Sequence, residues 1–153
     1  MTRKEVDRQR IIERFESLRA AFPKLTMTLD AQPGNVDVSL EIPEQPGLDF
    51  DVFVNLQGDE LHLNAGGYLW LEWFPCTDEG VEADFFESVH GLLSGRFRIV
   101  EHHRRGSAFK AVLERPINRG WESYGTWHSP SLPIGPFTTI VLQNRRDGDG
   151  AQT

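Results

Sequence analysis

Several things are scarce in this sequence, and each scarcity excludes something. There is one cysteine, Cys76, so no internal disulfide framework can form and a reducing compartment is expected. No apolar run approaches the roughly 20 residues of a membrane-spanning helix. The opening residues Met1–Asp7 are charged and lead into no apolar segment, which argues against a signal peptide. A cytoplasmic protein that does not engage membranes is the expectation. Basic residues are missing from one long stretch: residues 25–95 contain no lysine or arginine and carry fourteen carboxylates.

That gap divides the charge sharply. Residues 1–24 balance at +3, residues 25–95 at −14 and residues 96–153 at +4, giving −7 for the chain. Two arrangements follow. Either the acidic strands lie beside the basic ends and are neutralised internally, or they form an acidic face that attracts a basic partner. Nucleic acid is excluded as the expected partner, because phosphate binding needs a dense basic stripe and the net sign is wrong. Thirteen of the sixteen basic residues are arginine, the side chain that holds carboxylates bidentately.

What is present is enough for one domain. A chain of 153 residues buries roughly 70% of its unfolded surface without help from metal or disulfide. A single domain over residues 1–143 is expected, with a disordered polar tail over residues 144–153.

Two segments have helical periodicity. In residues 3–22, Ile11, Phe15, Leu18 and Phe22 fall on one stripe, Thr2 and Glu5 have capping-box spacing, and Pro23 stops the run. In residues 79–94, Val81, Phe85, Val89 and Leu92 repeat, acids fill the first turn, and Gly95 terminates. The remainder alternates with period two. Val36, Val38, Leu40 and Ile42 are interleaved with Asp37, Ser39 and Glu41; the same pattern recurs over residues 48–56 and 60–65. Further strands are expected over residues 25–30, 68–74, 96–104, 107–115, 120–127 and 137–142. Short connections imply antiparallel pairing, hence an α+β fold. The expected architecture is a curved, mainly antiparallel sheet with two amphipathic helices (about 3–22 and 79–94) packed on one face.

Alternation then assigns the opposite face. If the apolar positions meet the helices, the far side collects Asp37, Glu41, Asp49, Asp51, Phe53, Glu60 and His62. Tyr68, Trp70 and Glu72 join them if the register continues through Gly66-Gly67. Arg96, Arg98, His102, Arg104 and Lys110 would extend one continuous sheet with a basic half. A two-fold axis across such a face sets acid over base twice, so a homodimer through the open face is one expectation; a basic protein partner is the other.

Motifs of catalysis are scarce. No G-x-G-x-x-G, Walker loop, H-E-x-x-H or C-x-x-C occurs, and Gly91-Leu92-Leu93-Ser94-Gly95 places its serine one position late for a nucleophile elbow. Glu87 and His90 make a single E-x-x-H, whereas a di-iron bundle needs two. His102 and His103 are adjacent on a strand, so they point to opposite faces and cannot share an ion without a bulge. Glu60 and His62 share a face and could hold a metal or a proton, but a surface ion pair is the simpler reading. Cys76 at a helix start would have a lowered pKa if exposed; a buried structural thiol is the alternative. No cofactor, metal or catalytic residue is therefore assigned. The leading expectation is a non-catalytic protein that acts through protein contact. The alternative is a small-molecule binder or enzyme, with an aromatic-lined pocket formed by Trp121, Tyr124, Trp127 and His103 beside the proline-rich loop 129–136.

Overall fold

The computed structural model describes residues 5–32, 34–130 and 135–145. Its elements run α1 (Arg8–Ala21), β1 (Thr28–Asp30), β2 (Val38–Ile42), β3 (Val52–Gln57), β4 (Glu60–Ala65), β5 (Leu69–Trp73), α2 (Glu79–Ser94), β6 (Arg98–Arg104), β7 (Ser107–Ile117), β8 (Gly120–His128) and β9 (Thr138–Leu142). The fold is α+β and every strand pairing is antiparallel. The strands divide into two sheets, where alternation alone suggested one. β1 to β5 form a meander in sequence order, and the second sheet has the order β8-β7-β6-β9.

The meander has a strict register. Leu40, Val54, Leu63 and Leu71 stand in one row across β2 to β5, and Ile42, Val52, Ala65 and Leu69 in another. Residues in a row share a face, and the face alternates along each strand. Both rows point to the core: Leu40, Val54 and Leu63 are fully buried, as are Ile42 and Val52. α1 contributes Ile11, Phe15 and Leu18 to this core, and α2 contributes Phe85, Phe86, Val89 and Leu92. Phe15 packs on Phe85 and Phe86 at ring separations of 6.5 and 5.7 Å, which ties the helices together.

α1 begins later than residue 3. Asp7 is its N-cap, with its side chain accepting from the Arg10 N–H at 3.1 Å. Thr2 lies outside the described residues, and Glu5 precedes the helix. α2 is capped by Asp78 and ends in the left-handed Gly95, in line with the sequence.

The second sheet completes the core from the side. Ile99, Ala111 and Leu113 are fully buried on its inner face. Leu71 of β5 packs so closely over Gly125 of β8 that a Cβ there would lie 2.7 Å from it. At the other end, the β4–β5 turn sits on β6 and β9: a Cβ on Gly66 would meet Leu142 at 2.4 Å. The first residue of the expected tail belongs to the fold. Asn144 is buried, and its side-chain NH₂ donates to Gly47 O and Leu93 O at 2.8 and 2.7 Å. Residues 146–153 of that tail lie outside the described residues. No described helix is long and apolar enough to cross a membrane.

Candidate functional site

The helices and the second sheet lie against the inner face of the meander. The outer face is carried by two rows. Ser39, Asn55, His62 and Glu72 stand side by side, and Glu41, Phe53, Asn64 and Trp70 form the next row. Glu60 extends the first row's edge, two residues from His62. Glu41, Phe53, Glu60, His62 and Trp70 are therefore brought together on one face. Trp70 is 40% exposed, and its ring lies 5.5 Å from that of His62.

This face has a polar centre that is closed to solvent. His62 is 7% exposed, Asn55 5% and Ser39 8%. His62 Nε2 lies 2.9 Å from Glu60 Oε2. Single ligand atoms of Glu60, His62 and Glu72 all fall within 4.8 Å of one another. The Asn55 carboxamide oxygen is buried and finds no donor among the described residues.

The remaining residues expected on this face lie outside its paired strands. Asp37 precedes β2, and its carboxylate accepts from the Gly58 N–H at 2.8 Å, closing the β3–β4 turn. Asp51 accepts from the Glu44 N–H and holds the loop before β3. Asp49 is exposed in that loop, with its N–H directed to Asn144. Tyr68 falls in the β4–β5 turn and faces the second sheet, edge-on to His103 at 5.4 Å.

The expected basic half of the face is on another surface. Arg98, His102 and Lys110 stand on the outer side of the second sheet, not in continuity with the meander's acids. Several of the arginines are already engaged. Arg98 pairs with Glu114 at 2.8 Å and lies over Trp121. Arg10 and Arg14 converge on the buried Glu82 of α2, Arg96 pairs with Glu87, and Arg115 pairs with Glu122. Among the described residues, Glu41, Glu60 and Glu72 pair with no lysine or arginine.

Trp121, Tyr124, Trp127 and His103 are divided between faces. Trp121 is on the outer side beneath Arg98, whereas Trp127 is inside, 6.1 Å from Tyr68. Tyr124 packs on Phe97, and burial, with Asp84 close by, pushes its hydroxyl up to about 12. That hydroxyl makes no bond of good geometry among the described residues. His103 belongs to a second Glu-x-His pair: its Nε2 lies 2.8 Å from Oε1 of the buried Glu101, whose other oxygen is unpartnered. Same-face i, i+2 spacing identifies Glu101 and His103 just as it identifies Glu60 and His62.

The other singled-out residues are structural. A β-bulge lies beside His102 and His103, with Phe109 as the extra residue on β7, so the histidines still point apart. His102 packs with Phe109 and Phe137, and burial, then Lys110, lowers its pKa. His90 packs on Phe22 at a ring separation of 5.0 Å, and Glu87 pairs with Arg96. Cys76 is buried, and desolvation, aided by the carboxylates of Asp59 and Glu82, raises its thiol rather than lowering it.

No family model, curated protein or solved structure matches this chain.

Proposed function

We propose that this protein acts through protein contact, presenting the outer face of the β1–β5 meander to a basic partner. The observation that carries this reading is the segregation of charge. The meander lies wholly within the stretch that lacks lysine and arginine, and Glu41, Glu60 and Glu72 pair with none among the described residues. Internal neutralisation would place the arginines of α1 and β6 against those acids. Instead Arg10 and Arg14 pair with Glu82, Arg19 with Glu16 and Arg98 with Glu114, while Arg8 reaches the backbone carbonyls of Ala31 and Asp37. The field of the face is thus directed outward, where it steers cations and selects a partner by sign. Phe53 and the exposed Trp70 supply apolar anchors between the charges.

Charge favours a partner other than a second copy. A self-docked face needs cations in the same plane as the acids, and Arg98 is on the other sheet, paired and stacked. Catalysis gains no comparable support: Trp127 and His103 meet on Tyr68, but Trp121 lies beneath Arg98 on the outer side of the second sheet and Tyr124 packs on Phe97.

Titration with a lysine-rich model peptide, read through tryptophan fluorescence, tests the reading. Saturable binding is expected at low salt, weakening as the Debye length falls to about 10 Å near 0.1 M. The double variant Glu41→Lys/Glu72→Lys abolishes it while the fold is retained. Binding unchanged in that variant, or no binding at low salt, would overturn the reading. A dimer in sedimentation that the same variant dissociates would assign the face to a second copy instead.

A further inference from the structure

We propose that Glu60, His62 and Glu72 form a site for one divalent transition-metal ion of the zinc class. The site is built on paired strands. Glu60 and His62 are two apart on β4 and therefore on one face, and Glu72 of β5 is the direct cross-strand neighbour of His62. His62 Nε2 and Glu60 Oε2 are 2.9 Å apart, and the three ligand atoms lie within 4.8 Å of one another. Neighbouring ligands of an ion with bonds of about 2.1 Å stand roughly 3.0–3.4 Å apart. A rotamer change of the exposed Glu72 closes the difference.

An independent observation points to the same place. Asn55 is the cross-strand neighbour of His62 on the opposite side from Glu72, so its side chain rises beside the imidazole. It is 5% exposed, yet its carboxamide oxygen has no donor among the described residues. A buried carbonyl oxygen without a partner is costly, and native proteins keep few of them. A water bound to an ion beside His62 would supply that partner.

The donor set fixes the class of ion. One imidazole nitrogen and two carboxylates suit zinc and its neighbours, whereas magnesium and calcium prefer oxygen alone. Two carboxylate charges match one divalent cation and remove the repulsion between Glu60 and Glu72. The Trp70 ring against His62 restricts the imidazole and holds it in position. An ion here takes the place of the His62–Glu60 hydrogen bond, with the Nε2 lone pair facing it. The site does not depend on the contact reading, and its test needs only the full chain and metal salts.

Metal-free protein is titrated with Zn²⁺ by calorimetry and with Co²⁺ by visible absorption. One equivalent should bind, and Co²⁺ should show the absorption of a site with nitrogen and oxygen ligands. Glu72→Gln should weaken binding by more than the roughly 10–100-fold that loss of an outer-shell partner costs. His62→Gln should do the same, and Glu72→Gln, at an exposed position, decides the matter if the histidine variant does not fold. Glu41→Gln, on the same face but outside the cluster, should bind as the parent does. Absence of saturable uptake, or equal affinity in Glu72→Gln and the parent, overturns the site. So does an equal loss in Glu41→Gln, which would mark diffuse attraction to an acidic surface.

Discussion

A Cβ placed on Gly95 would lie 2.2 Å from the backbone oxygen of Asn144. The end of α2 and the chain after β9 therefore touch, backbone to backbone, at a residue with φ +78°. Gly95→Ala incurs two costs: a left-handed conformation, about 1–2 kcal/mol, and displacement of the chain at Asn144, about 1–3 kcal/mol. Urea unfolding should show the combined loss. Gly58→Ala, at φ +61° with open space around it, should show only the first.

Asn144 links three segments. Its side chain donates to the carbonyls of Gly47 and Leu93 and accepts from the Asp49 N–H. Asn144→Ala leaves the buried Leu93 carbonyl and the partly exposed Gly47 carbonyl without this donor and should destabilise the fold by about 1–3 kcal/mol. Asn144→Asp should be no better, since a carboxylate would face those same carbonyls. Thermal unfolding of both variants measures this. A melting temperature unchanged in Asn144→Ala would return residue 144 to the tail.

His102 sets a pH dependence whose sign is fixed. Burial among Phe109 and Phe137, then the Lys110 charge, lowers its pKa below the ordinary 6.5. The unfolded chain thus binds a proton at a pH where the folded chain does not. Its contribution is fully present above the unfolded pKa and is lost as pH falls through the folded one. Imidazole NMR titration should place His102 below 6.5. His102→Gln should flatten that part of the stability profile.

Cys76 should react slowly. Burial and the nearby carboxylates hold its thiol protonated above the ordinary range. Alkylation at pH 8 should be slow in buffer and should accelerate in urea through the unfolding transition. Fast labelling of the native protein would contradict the buried, raised thiol.

The meander was legible in sequence because one face is buried and the other is not. Under that condition most residues of 38–65 declare their side: Val52 and Leu63 are buried and Asp51 is exposed, with Phe53 an apolar exception on the outer face. His62 kept its face but not its exposure, since its row neighbours and Trp70 close over it. The division into two sheets was not legible. It depends on Leu71 over Gly125 and on the Gly66 turn against Leu142, contacts between residues far apart in sequence. The start of α1 was misplaced because Thr2 and Asp7 are both competent caps, and spacing alone does not rank them. The candidate metal ligands required register as well as alternation: i, i+2 spacing joins Glu60 to His62, but only pairing of β4 with β5 and β3 adds Glu72 and Asn55.

The strand order β8-β7-β6-β9 also has a temporal meaning. Every neighbour pair in the meander is adjacent in sequence, so that layer can zip together as it leaves the ribosome, with little loop entropy to overcome. β6 differs: one of its edges waits for β9, which is made only after β7, β8 and the intervening loop. Until synthesis reaches Leu142, the nascent chain carries an open edge along a nearly finished core, and a chain halted before that point would be the form most prone to pair with the wrong strand.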